Sequence, residues 1–242
     1  MFRTLLVYAI VILYILILGP PLLLVSALTG HADTLYAVGI SAVRTVLRLA
    51  GVRMIVSGLE KIPVGRPVVF MPNHQSNCDP PAVAVNLPPL LLMAKKEFFR
   101  IPILGRAFHM MGFIPVDRTN RERAFAAVDK AVTALKTGRS FLVFPEGTRS
   151  KTGRLQPFKK GVFFMAIKAG APIVPVSVSG GSRIMRKGEF RIHPGVVRIT
   201  IHDAVPTEGC SVADRAEVVM QVRRAILSGL SPEERSFEPD AA

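Results

Sequence analysis

The sequence predicts an α/β fold, with a mixed, largely parallel sheet flanked by helices and an N-terminal helical membrane anchor in front of it. Three observations predict it. Seven short β-rich runs alternate with helix-like stretches from residue 52 onward, and strands that alternate with helices form parallel pairs covered on both faces. Residues 5–28 are nearly free of polar side chains. Half of the 242 residues are hydrophobic and the mean hydropathy is +0.38, which a soluble domain rarely reaches, so part of the surface faces lipid.

The anchor comes first. The apolar run Leu5–Leu18 meets Gly19-Pro20-Pro21 and resumes through Leu28. It is long enough for a spanning helix, which needs about 20 apolar residues. Pro20 and Pro21 interrupt helical hydrogen bonding in its middle. A cleaved signal peptide is a second reading, with Arg3 as the basic start and Val25-Ser26-Ala27 as a small-residue site. A third is a re-entrant or hairpin anchor that turns at Gly19-Pro20-Pro21 and returns through the apolar stretch ending near Leu49. Arg3 precedes the run, and Arg44, Arg48 and Arg53 follow it. Basic residues stay on the cytoplasmic side, so the hairpin or an interfacial element is favoured. Leu35, Val38, Val46 and Leu49 recur at helical spacing in the returning segment. The anchor is therefore placed at residues 1–49, the globular domain at 50–230, and a flexible tail with Pro232, Glu233, Glu234 and Pro239 at 231–242.

The strand candidates follow in order: 52–56, 67–71, 90–93, 112–116, 140–144, 173–178 and 196–201. Residues 121–137 carry Ala124, Val128, Ala131, Val132 and Leu135 on one helical face and stop at Gly138. Residues 159–169 stop in the same way at Gly170, and 211–229 form a last amphipathic helix.

Charge and cysteine content exclude some functions. The net charge is +14, and residues 91–190 hold 19 Lys and Arg against 6 acids. That field draws anionic lipid surfaces, acidic carriers and phosphate esters. Zinc-finger spacing, tryptophan and interleaved aromatic and basic residues are all missing, so nucleic acid is not the expected partner. Two cysteines, Cys78 and Cys210, make neither a disulfide framework nor a zinc site.

Four polar motifs each follow a different β-rich run. The first is Pro72-Asn73-His74-Gln75-Ser76-Asn77-Cys78-Asp79-Pro80. A turn entering a helix can bring Asp79 back to His74. The carboxylate then fixes the imidazole tautomer, and the other ring nitrogen takes a proton from a hydroxyl. Such a base contributes about 10²–10⁴-fold, roughly 3–5 kcal/mol of barrier. Asp79-Pro80 is equally a helix cap followed by Pro at the first helical position. The second motif is Phe144-Pro145-Glu146-Gly147-Thr148-Arg149-Ser150, whose arginine offers a planar fork for phosphate. The alternative there is a surface turn in which Glu146 and Arg149 pair, worth about 0–1 kcal/mol. The third is Gly112 to Arg118, and the fourth is Met93-Ala94-Lys95-Lys96-Glu97. A parallel sheet puts such ends on one edge. One cleft is thus expected to hold His74, Lys95, Arg118, Glu146 and Arg149.

Asn73-His74 with Asp79, Gly112 to Arg118, Phe144 to Ser150, and Val174-Pro175-Val176 resemble the four ordered blocks of the glycerolipid acyltransferases, across residues 50–205. Among these, the similarity is greatest to bacterial enzymes acting on 1-acyl-glycerol-3-phosphate. The resemblance implies His74 as general base and Asp79 as its orienting partner. It implies Arg118, Glu146, Gly147, Thr148 and Arg149 as binders of the glycerol phosphate, with Lys95 nearby. It further implies acyl-CoA or an acyl-carrier protein as co-substrate, no metal or other cofactor, and lysophosphatidic acid in an anionic bilayer as acceptor. The expected location is the inner membrane, with the catalytic domain on its cytoplasmic face. A different lyso-acceptor is the nearest alternative. A hydrolase lacks support because the chain has no Gly-x-Ser-x-Gly elbow, and a non-catalytic lipid binder would not need the His74 and Asp79 pair.

Overall fold

The computed structural model describes residues 1–117 and 119–235. Its strands are β1 (Val52–Ser57), β2 (Val69–Pro72), β3 (Leu91–Lys95), β4 (Ile114–Val116), β5 (Phe141–Leu142), β6 (Ile173–Ser179) and β7 (Gly195–Ile201). Its helices are α1 (Phe2–Thr29), α2 (Asp33–Leu49), α3 (Asp79–Ala84), α4 (Leu104–Met110), α5 (Arg121–Lys136), α6 (Lys160–Ala169), α7 (Gly181–Ile184) and α8 (Arg215–Ser228). Each of the seven expected β-runs contains a strand. The sheet order is β1-β7-β6-β2-β5-β3-β4, parallel throughout except for the antiparallel β6–β7 pair. The sheet is mixed and largely parallel, as the alternation predicts.

Successive side chains of a strand point to opposite faces, and the core divides accordingly. Phe70 of β2 joins Leu47, Ala82 and Val83 of α2 and α3 on one face. Its neighbours Val69 and Met71 join Ala131 and Leu135 of α5, Phe163 of α6 and Ile226 of α8 on the other. Val69, Phe70 and Met71 are fully buried, each worth about 1.5–3 kcal/mol of burial. The central strand is thus rigid where it ends, just before His74.

The anchor differs from the favoured hairpin. The chain does not reverse at Gly19-Pro20-Pro21; α1 runs through both prolines. It turns at residues 30–32, where Gly30 caps α1 with φ 71° and donates its N–H to Ser26. A proline inside a helix costs about 3 kcal/mol, but breaking the helix in hydrocarbon would strand more backbone groups without partners. Gly19 also faces Ile103 closely enough that a Cβ would collide with its Cγ2, so the helix is packed against the start of α4 just before its prolines. α1 is long and apolar enough to cross a membrane, and Leu5, Ile12, Leu16, Ile17, Leu24 and Leu28 are exposed.

A second difference lies at the other terminus. The flexible tail expected from Ser231 does not begin there, because residues 232–234 form a 3-10 turn with a Ser231/Glu234 capping box. The buried Glu234 carboxylate accepts from Ser179 Oγ at 2.5 Å and from Gly180 N at 2.7 Å. Residues 236–242, the rest of that tail, lie outside the described residues.

Candidate active site

The carboxyl ends of β2, β3, β4, β5 and β6 share one edge of the sheet, because those strands run parallel. Open α/β sheets bind their ligands on that edge. β2 ends at Pro72, and Asn73 finishes its pairing with a side chain. Asn73 Nδ2 donates to Val178 O at 2.8 Å and its Oδ1 accepts from Val178 N at 2.7 Å. The main chain is then free to turn, and it turns at His74.

Asp79 does not serve as a forward cap. Its Oδ2 points back and accepts from Gln75 N at 2.6 Å, from Ser76 N at 2.6 Å and from His74 Nδ1 at 3.0 Å. Two main-chain donors fix the oxygen that receives the imidazole. The carboxylate is fully buried and the imidazole is 12% exposed. With Nδ1–H committed to Asp79, Nε2 is left as an acceptor. The ring lies 4.1 Å from the Phe144 ring centroid, tilted by 32°.

The motif after β5 grips His74 by its backbone. Glu146 Oε1 accepts from His74 N at 2.5 Å, and His74 O accepts from Ser150 N at 2.8 Å. Glu146 Oε2 accepts from Gln156 N and from Gln156 Nε2, both at 3.0 Å. The expectation that Glu146 lines the glycerol phosphate meets a different geometry: its carboxylate is buried and both oxygens are occupied inside the protein. Burial pushes its carboxyl up to about 7, against the pull of the donors from His74 and Gln156.

Gly147 has φ 68°, and a Cβ there would lie 2.8 Å from Lys159 Cε. Only glycine fits that turn without strain. Thr148 and Arg149 follow it, both partly buried. Arg149 Nη1 is buried and has no hydrogen-bond partner among the described residues. A buried guanidinium nitrogen with an unused proton is a ready ligand for an anion.

The remaining expected residues are less close. Lys95 ends β3, two strands from β2 in the sheet order, roughly 10 Å away at strand spacing. Its side chain is half exposed and sits 3.4 Å from Glu97. Lys96, not Lys95, binds inward: its Nζ meets Asp117 Oδ2 at 2.7 Å, and Asp117 Oδ1 accepts from Thr119 N and Oγ1. That clamp joins the ends of β3 and β4. Arg118 lies outside the described residues. Cys78 is buried, and burial pushes its thiol up to about 11, so it stays protonated and unreactive.

The structure thus brings together His74, Asp79, Glu146 and the 147–149 loop, and leaves Lys95 at the margin. Sequence reasoning missed Gln156 and the bidentate role of Asn73. Gln156 has no signal in the sequence, since a lone glutamine in a loop carries no pattern. Asn73 had one, a polar amide directly after a fully apolar run.

A family model described as Acyltransferase matches residues 53–179. The chain is 32% identical to the 1-acyl-sn-glycerol-3-phosphate acyltransferase of Borreliella burgdorferi, over 78% of this chain and 76% of that protein. It is 38% identical to the chloroplastic 1-acyl-sn-glycerol-3-phosphate acyltransferase BAT2 of Brassica napus, over 62% of this chain and 44% of that protein. The match thus spans less than half of that plant relative. The crystal structure of the 1-acyl-sn-glycerophosphate (LPA) acyltransferase from Thermotoga maritima shares the fold with a TM-score of 0.79 at 30% identity, covering 93% of each chain. With the family model matched over more than half its length, and with its strand-end motifs gathered on one sheet edge, this chain belongs to the acyltransferase family.

Proposed function

We propose that this protein moves a fatty acyl group from acyl-CoA or acyl-carrier protein to the sn-2 hydroxyl of 1-acyl-glycerol-3-phosphate, forming phosphatidic acid in phospholipid biosynthesis. The observation that carries the reading is the His74–Asp79 pair, with Nδ1 committed to a buried carboxylate at 3.0 Å and Nε2 left to act. The acceptor hydroxyl gives its proton to Nε2 as its oxygen attacks the thioester carbonyl. The tetrahedral intermediate then expels the thiolate, which takes the proton back from His74. Atoms balance without a metal or a further cofactor, which the proposal does not require.

The acceptor's phosphate is read onto Arg149, whose buried Nη1 has an unused proton, and onto Arg118. Thr148 and Gly147 shape the loop beside it, and Lys95 adds positive field from the margin. The relatives named above carry the names of lysophosphatidic acid acyltransferases, which supports this acceptor over other lyso-lipids. The apolar α1 suits a membrane-held enzyme. We place the catalytic domain on the cytoplasmic face of the inner membrane, where anionic lipid and acidic acyl carriers match the charge of +14.

The test is transfer of labelled palmitoyl from its CoA thioester to oleoyl-lysophosphatidic acid in mixed micelles, wild type beside His74→Ala. Labelled phosphatidic acid from wild type alone is expected. Labelled free fatty acid without phosphatidic acid would make the protein a hydrolase and overturn the reading.

A further inference from the structure

The loop that carries Arg149 is held from behind by a residue outside all four motifs and outside the family match at 53–179. Lys187 Nζ donates to Thr148 Oγ1 at 3.1 Å and to the main-chain O of Arg149 at 2.9 Å. Gly147, with φ 68°, lets the chain turn into this loop, and Gln156 Nε2 donates to Thr148 O at 3.0 Å from the other side. The Lys187 bond is the one that reaches the main chain of Arg149 itself, where the guanidinium side chain leaves the loop.

Lys187 lies between α7 and β7, in a strap of residues 185–194. The strap's other end is bonded to the membrane helix. Thr4 Oγ1 donates to Ile192 O at 3.4 Å and accepts from Ile192 N at 3.2 Å. Tyr8 Oη donates to Phe190 O at 3.0 Å, and its ring stacks on Phe190 at 5.7 Å. Thr4 is only 1% exposed. A helix that serves only to partition into lipid needs apolar side chains. A buried hydroxyl bonded to both backbone groups of one strap residue serves the strap.

We propose that Lys187 is a positioning residue for the acceptor's phosphate, and that the 185–194 strap makes the first turns of α1 part of the same clamp. This rests on the reading of Arg149 as phosphate ligand. The clamp sets where the guanidinium starts from. Lys187 itself makes no bond to His74, which is held by Asp79 and Glu146 through their side chains and by Ser150 N, a main-chain donor that the Lys187 variants keep. Loss of the clamp therefore weakens acceptor binding and spares both donor binding and proton transfer.

The experiment uses the full chain in detergent micelles, where attachment to a bilayer has no part, and measures KM for each substrate separately. Lys187→Met keeps the stem and removes the donors. It is expected to raise the acceptor KM about tenfold, the effect of losing a charged hydrogen bond, with kcat and donor KM at wild-type values. Lys187→Arg restores the acceptor KM. The pair Thr4→Val with Tyr8→Phe raises the acceptor KM in the same direction, and adding Lys187→Met to it raises it little further, because one strap is cut once. An unchanged acceptor KM in Lys187→Met overturns the assignment, as does an equal rise in both KM values. An unchanged acceptor KM in the Thr4 and Tyr8 variant overturns the link to α1, and that variant still reports if Lys187→Met does not fold. Arg149→Ala separates the layers. If it raises the acceptor KM and Lys187→Met does not, only the clamp falls; if it leaves that KM unchanged, the phosphate reading falls and the clamp with it.

Discussion

The carboxylate of Glu146 accepts the main-chain N–H of His74 at 2.5 Å, so the motif that follows β5 holds the histidine that follows β2. Strand order makes this possible, because β5 pairs directly with β2 in parallel. The same carboxylate takes two donors from Gln156. Glu146 is a strut between His74 and a loop ten residues further on, with both of its oxygens occupied inside the protein.

Glu146→Ala removes the acceptor for three donors that are buried or nearly so. Each unsatisfied group costs about 1–3 kcal/mol, so the variant is expected to lose several kcal/mol of stability and most of its kcat. Glu146→Gln isolates the charge. Burial raises the Glu146 carboxyl to about 7 from an ordinary 4.5. Between those values the native state holds a proton that the unfolded state has released. This group's contribution to stability therefore falls as pH rises from about 4.5 to 7, then levels off. Glutamine cannot titrate. The stability difference between wild type and Glu146→Gln, measured by urea unfolding, is expected to be larger at pH 5 than at pH 8. A difference independent of pH would refute the raised carboxyl.

His74→Ala is expected to lower kcat by about 10²–10⁴-fold and to leave membrane attachment and thermal stability near wild type. The reason is specific to this loop. The bonds that organise it use His74 N and O, which alanine keeps, to Glu146 and Ser150. Product formation at the wild-type rate would remove His74 as the base.

Arg149→Ala is expected to raise the acceptor KM roughly 10- to 100-fold, the range for one or two charged hydrogen bonds to a phosphate, with a smaller change in kcat. Arg149→Lys should recover part of the loss, since it restores a charge without the planar fork. Steady-state kinetics with varied lysophosphatidic acid decide it; an unchanged acceptor KM would take Arg149 out of the phosphate site.

Much of this architecture was legible because it follows from local patterns. The runs around Val69–Met71 and Ile173–Val178 are short, apolar and rich in β-branched or large residues, and they form central strands. Gly170 ends α6 in the left-handed conformation its position announced. His74 and Asp79 were findable because a turn between strand and helix can close over five residues. What was not legible depends on contacts distant in sequence. Nothing local to Pro20 tells that α1 continues, because the cost of breaking a helix is set by the solvent around it. Glu146 and Arg149 are three residues apart with opposite charges, and only the tertiary fold turns one inward and leaves the other an unused proton. Lys187 and Thr4 have no pattern of their own, since their partners lie across the fold.

Asp79→Asn tests whether the two main-chain donors choose the tautomer of His74. Gln75 N and Ser76 N both point at the site of Oδ2 and can only be met by an oxygen. An asparagine is therefore expected to place its carbonyl there and its NH₂ where Oδ1 stands without a partner among the described residues. The imidazole Nδ1–H then still finds an acceptor, and the tautomer is kept. With His74 as the proposed base, what is lost is the charge that would stabilise its imidazolium. Asp79→Asn should consequently keep more activity than Asp79→Ala, which strands both main-chain donors and leaves the ring free to rotate. A loss in Asp79→Asn as deep as in Asp79→Ala would mean that the amide is flipped or that the charge alone matters. The Nδ1 proton resonance of His74 separates those two: it persists downfield if the carbonyl faces the ring and vanishes if the NH₂ does.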